Sequence, residues 1–108
     1  MDVADLADRV ADRLGGTIRV AGSGMVETVA VVPGSGGSFL TRSEADVVVT
    51  GDVSHHQARA ATASGVSVID PGHAATERPG VQALYALIAE MIDAIDMTDI
   101  DQDPWKER

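Results

Sequence analysis

A chain of 108 residues with formal net charge −9 and no cysteine has room for one modest core, and it excludes disulfides, zinc ribbons and thiol nucleophiles. Seventeen Asp and Glu against eight Lys and Arg repel phosphate backbones and anionic lipid, which excludes nucleic acid and membrane surfaces as expected partners. With one Phe, one Tyr and one Trp, packing must rest on Val, Ile, Leu, Met and Ala.

The first predicted element is a helix over 3–14, where Val3, Leu6, Ala7, Val10, Ala11 and Leu14 recur at helical spacing. Asp2 caps its start, Gly15-Gly16 ends it, and Asp5 with Arg9 adds a wet-face pair. Thr17 to Ala21 is a short strand candidate, and Ser23-Gly24 turns the chain into Glu27–Val32, a β-branched run that reads as a buried strand. Pro33 is expected to stop it. Gly34-Ser35-Gly36-Gly37-Ser38 then forms a loop, with a short helical piece from Phe39.

Asp46–Thr50 is a second buried strand, ended by Gly51-Asp52. Residues 54–64 read as a helix with Gly65 as its stop, and Val66–Ile69 as a third strand closed by Asp70-Pro71-Gly72. A long helix is expected from Thr76 or Glu77 to Asp93, with Pro79 in its first turn and Val81, Leu84, Leu87, Ile88, Met91 and Ile92 on its apolar side. Ile95–Ile100 reads as a last strand or as continued helix, and the tail over 101–108 as frayed.

Strands alternating with helices predict a single α/β domain over 1–108, a mostly parallel sheet flanked by helices. Parallel strands point their carboxyl ends the same way, and ligands of open α/β sheets bind at that edge. Three polar, Gly-bearing loops fall there, at 34–38, 51–56 and 70–77, and they hold all three histidines, His55, His56 and His73.

The loop Gly34, Ser35, Gly36, Gly37, Ser38 is a candidate phosphate cradle or a plain turn. It is no Walker A loop, lacking Gly-Lys-Ser/Thr, and no nucleophile elbow, because Pro33 takes the place of the first glycine. A triad of Ser38, His56 and Asp52 has no spacing in its favour. His73 and Glu77, four apart, would share one face of a helical turn, and an imidazole with a carboxylate suits Zn, Mn, Fe or Co. The alternative is that Glu77 complements the helix dipole. Asp52 caps the helix that His55-His56 opens, or else Asp52 and His56 act as an acid–base pair.

In order, Gly34-Ser-Gly-Gly-Ser-Phe-Leu40, Ala45-Asp-Val-Val-Val-Thr-Gly-Asp52, His55-His56 and Ile69-Asp-Pro-Gly-His-Ala-Ala-Thr-Glu77 resemble the Nif-three-like dinuclear metal-centre family, also labelled GTP cyclohydrolase I type 2. The resemblance runs from about Asp5 to about Ile92. It implies two similar α/β halves, toroidal hexamers and a pair of divalent metals between the halves. Of the family's ligands, the histidine and glutamate of Gly-His-x-x-x-Glu map to His73 and Glu77, and Thr50–His56 lines the same cavity. The chain departs from the pattern in lacking the upstream half, in having no Pro after His55-His56, and in a short segment between Leu40 and Ala45.

Two functions are therefore weighed. One is a metal-dependent hydrolase of a nucleotide or similar heterocycle, with Asp52 or His56 moving protons; the other is a non-catalytic metal-binding or assembly module. A homo-oligomer is expected, because so much Val, Leu, Ile and Met in a short chain needs covering. An acidic start without an apolar signal segment, and no run near the ~20 apolar residues of a membrane span, lead us to expect a cytoplasmic protein. The Asp-rich, Lys-poor composition also suits a high-salt cytosol.

Overall fold

The computed structural model describes residues 1–97 and 103–106. The elements run α1 Val3–Leu14, β1 Arg19–Ala21, β2 Val29–Ser35, a 3-10 turn Gly37–Arg42, β3 Val47–Gly51, α2 His55–Ala63, β4 Ser67–Asp70 and α3 His73–Ala89. They fall into two compact units, Met1–Thr76 and Glu77–Arg108. Of the expected last strand, residues 98–100 lie outside the described residues, and 93–97 hold no regular element.

In the first unit four strands form one sheet in the order β1-β4-β3-β2. β2 and β3 are parallel, as are β3 and β4, while β1 runs antiparallel to β4. The expected α/β fold with a mostly parallel sheet is what forms. Alternation along β3 explains its two layers. Val47 and Val49 pack with Ile69 against Val3 and Ala7 of α1. Val48 turns the other way and packs with Val68, Leu40 and Val53 against Ala61 of α2. The two β-branched runs buried on both faces are thus β3 and β4, every residue of which is buried.

Four local expectations are corrected. β2 is not buried on both faces: it is an edge strand, and Val29 and Val31 are 45% and 64% exposed. For the same reason Pro33 does not stop it. A missing N–H is tolerated on an edge, so the ladder resumes at Ser35 opposite Gly51 after an irregularity. The cap of α2 is Ser54 rather than Asp52. Its side chain accepts from Gln57 N at 3.1 Å while Gln57 Oε1 accepts from Ser54 N at 3.0 Å, a reciprocal capping box.

Finally, α3 begins at His73, a turn earlier than expected, and ends earlier, at Ala89. Thr76 N already donates to Gly72 O at 3.2 Å. Pro79 therefore lies inside the helix, where it removes one backbone hydrogen bond. No helix among the described residues is long and apolar enough to cross a membrane.

Candidate functional site

The carboxyl ends of β2, β3 and β4 converge on Gly51. A Cβ at that position would lie 2.7 Å from Gly34 O, 2.6 Å from His73 N and 2.7 Å from His73 Cα. Only a residue without a side chain lets the three chain segments meet so closely. Gly34 N donates to Thr76 Oγ1 at 2.8 Å, and that hydroxyl donates to His73 O at 2.7 Å. The β2 end is thereby tied to the first turn of α3.

Asp52, the next residue, has φ 56° and is the one non-glycine residue at positive φ among those described. Asp is among the few side chains that tolerate this region. Its Oδ2 lies 2.6 Å from His73 Nδ1, with the two side chains 54% and 47% exposed. An ionised carboxylate has no proton to give, so Nδ1 donates and Oδ2 accepts.

Beneath this pair sits Asp70, 5% exposed. Its Oδ1 accepts from Gly72 N at 2.8 Å, and its Oδ2 accepts from Val53 N at 3.1 Å and from Arg19 Nη2. The same Arg19 nitrogen donates to Val53 O at 2.9 Å. One buried carboxylate thus holds both loops, the one that carries Asp52 and the one that carries His73. The guanidinium supplies its counter-charge, as a buried carboxylate requires. Sequence reasoning read Asp70 only as a strand end and gave Arg19 no role. The one available signal was an Asp-Pro-Gly turn closing a buried strand.

The remaining candidates stand as follows. Glu77 is four residues beyond His73 in α3, one helical turn on. His56 is exposed in the first turn of α2, its ring edge-on to that of His55 with centroids 5.8 Å apart. Among the described residues it makes no hydrogen bond, so the histidine paired with Asp52 is His73. His55 turns toward a hollow of about 230 Å³ that Arg19, Ser54, Ala58 and Asp70 help to line.

The glycine-rich loop has structural reasons for its composition. Gly34 takes φ 78°. A Cβ on Gly36 would lie 2.3 Å from Thr50 Oγ1, and one on Gly37 would meet the Gln57 amide at 2.1 Å. Ser35 pairs with Gly51, and Ser38 is exposed in the short 3-10 turn. Thr50 Oγ1 is buried under this loop with no hydrogen-bond partner among the described residues.

Among the described residues no group of three or more His, Asp or Glu is gathered closely enough to hold a metal ion. What is present at the sheet edge is an imidazole whose Nδ1 lies against the Asp52 carboxylate.

A family model described as Duf34/NIF3 (NGG1p interacting factor 3) matches residues 1–104. A protein of Schizosaccharomyces pombe named "Protein NIF3 homolog" is 49% identical over 53 residues, which are 49% of this chain and 19% of that protein. A Pyrococcus abyssi protein named "GTP cyclohydrolase 1 type 2 homolog" is 45% identical over 67 residues, 60% of this chain and 27% of that protein. The chain therefore corresponds to only a minor share of these relatives' length. Among solved structures, a Bacillus cereus protein related to NIF3 superposes with TM-score 0.79 at 29% identity, over 100% of this chain and 33% of its own. A Thermus thermophilus protein superposes with TM-score 0.73 at 39% identity, over 81% of this chain and 37% of its own.

Proposed function

The chain belongs to the Duf34/NIF3 family, and from that membership we propose that it is a divalent-metal-binding protein that takes part in hydrolysis of a nucleotide or related heterocycle. His73 and Glu77 are the proposed ligands, offering one imidazole nitrogen and one carboxylate to Zn, Mn, Fe or Co. The observation that carries the reading is the 2.6 Å pairing of His73 Nδ1 with Asp52 Oδ2 at the carboxyl edge of the sheet. A guanine nucleotide as substrate class is supported by the name of the Pyrococcus relative.

When bound, the metal would lower the pKa of a coordinated water toward neutrality. The chain's own residues have separate tasks in this proposal. Asp52 accepts a hydrogen bond from the Nδ1–H of His73, and Asp70 keeps both loops in place. His56, exposed at the start of α2, is the proposed carrier of protons to and from the substrate. A homo-oligomer belongs to the same proposal, because Leu84, Leu87 and Met91 are 55%, 56% and 73% exposed and would be covered by another subunit.

A second reading, a non-catalytic metal-binding or assembly module, is favoured by one specific observation. No three-donor group exists among the described residues, and two ligands make a weak site unless a partner adds more. Metal content per chain and calorimetric titration with Zn²⁺ or Mn²⁺ test the binding itself. The parent is expected to bind, and His73→Ala and Glu77→Ala are each expected to weaken binding at least about tenfold. A parent that binds no metal, or variants that bind as it does, would overturn the metal reading. Metal binding without turnover of GTP would leave the module.

A further inference from the structure

We infer that the hollow of about 230 Å³ between β1 and the start of α2 binds a small organic anion, a carboxylate or phosphate on a short apolar body. Arg19 and His55 take the anionic group, and Ala21, Ala58 and Val68 take the body. None of these residues is a proposed metal ligand, so the site stands or falls apart from the metal reading.

Strand register builds the hollow. β1 pairs antiparallel with β4, Arg19 opposite Asp70 and Ala21 opposite Val68. Alternate residues of a strand share a face, so these four side chains fall on the α2 side of the sheet. There Ala21 and Val68 join the cluster that holds Val53 and Ala58. Alanine at both 21 and 58 leaves the space between strand and helix unfilled. At about 230 Å³ it is smaller than the roughly 300–1,000 Å³ of sites for drug-sized ligands, which limits the occupant to a small molecule.

The polar end of the hollow has donors to spare. Of the five N–H groups of a guanidinium, the two on Arg19 Nη2 go to Asp70 Oδ2 and Val53 O. The three on Nη1 and Nε have no partner among the described residues, and the side chain is 67% exposed. Asp70 accepts at both oxygens, from Gly72 N, Val53 N and Arg19, so its charge is answered within the fold. That task alone does not call for an arginine, because an ammonium would serve as the point charge. The planar head instead holds the fold with one nitrogen and keeps two available beside the His55 imidazole. With a net charge of −9 the chain as a whole does not steer anions, so recognition rests on these short-range donors and the apolar walls.

The test is titration of the full chain with acetate, butyrate, inorganic phosphate and propyl phosphate, followed by calorimetry and by ¹H–¹⁵N spectra that observe the Arg19 Nε–H and the His55 ring. Butyrate should bind more tightly than acetate, and propyl phosphate than inorganic phosphate, by about fourfold for each CH₂ buried. Whichever pair binds more tightly names the anionic group. Saturating shifts should gather on Arg19, His55 and Ala58. Arg19→Lys keeps a positive partner for Asp70 but loses the free guanidinium donors, and His55→Ala loses the imidazole. Each should weaken binding of the longer anions about tenfold or more. Ala58→Leu, which suits a helix and fills the hollow, should abolish it. Thermal melting verifies the fold of each variant, and the His55 and Ala58 variants, which leave the Arg19–Asp70 pair intact, decide the matter where Arg19→Lys does not fold. A parent that binds neither butyrate nor propyl phosphate, equal affinity for short and long anions, shifts confined to other residues, or folded variants that bind as the parent does would each overturn the inference.

Discussion

Thr50 and Gly51 are neighbours at the end of β3, and the structure gives them opposite tolerances. Thr50 Oγ1 is buried with no partner among the described residues, so its hydroxyl costs desolvation and returns nothing. Thr50→Val, of the same shape, is expected to stabilise the protein by about 1 kcal/mol in urea unfolding. Gly51 is hemmed in by backbone atoms of two other segments, none of which is the yielding tip of a side chain. Gly51→Ala must push those segments apart and is expected to cost about 2–3 kcal/mol. The same displacement would spread the loops that carry Asp52 and His73, so the contact between their side chains should loosen along with the lower urea midpoint. A Gly51→Ala protein as stable as the parent would contradict the close approach.

At the scale of elements, the start of the β2–β3 pair depends on Asp46. Its Oδ2 accepts from Glu27 N at 2.8 Å, Thr28 N at 3.0 Å and Thr28 Oγ1 at 3.3 Å. The backbone bond from Glu27, then that from Thr28, hold its carboxyl below the ordinary 3.8, against a small opposing effect of burial. A carboxyl whose pKa is lower folded than unfolded adds stability that is complete above the unfolded value, and that stability is lost as pH falls through the folded one. The urea midpoint is therefore expected to drop between about pH 5 and about pH 2, and Asp46→Asn should flatten part of that drop. A parent and variant with the same acid limb would remove Asp46 from the account. β2 itself shows how an element's place alters what its residues mean. A β-branched run suits a buried strand, yet on an edge its Val29 and Val31 face a groove of about 520 Å³ that Leu6, Val10 and Leu14 of α1 also line.

For the whole molecule the governing quantity is the net charge of −9. Like charges at the surface destabilise a folded chain through self-repulsion, and salt screens them over about 10 Å at 0.1 M and about 3 Å at 1 M. Raising KCl across that range is expected to raise the urea midpoint. The Arg19–Asp70 pair opposes this only weakly, because its carboxylate is buried and less screened. A midpoint that falls with salt would mean that attractive pairs dominate the surface.

The elements were legible in the sequence because their causes are local. Apolar spacing over 3–14 marks α1 and its buried face, and Asp2 accepts from Ala4 N at 2.8 Å as an N-cap should. The β-branched runs within 46–50 and 66–69 mark the central strands, which form at Val47–Gly51 and Ser67–Asp70, and the rule that parallel strands share a carboxyl edge was enough to bring the loops after them together. The start of α3 was missed because the cue used, a run of apolar residues, begins a turn after the backbone bonding does. What only the tertiary structure decided was which strand lies at an edge and which polar groups meet. Arg19 and Asp70 are 51 positions apart, and Asp52 and His73 are 21 apart. No local periodicity encodes such pairings, since they arise from strand order and from three loops closing over a glycine.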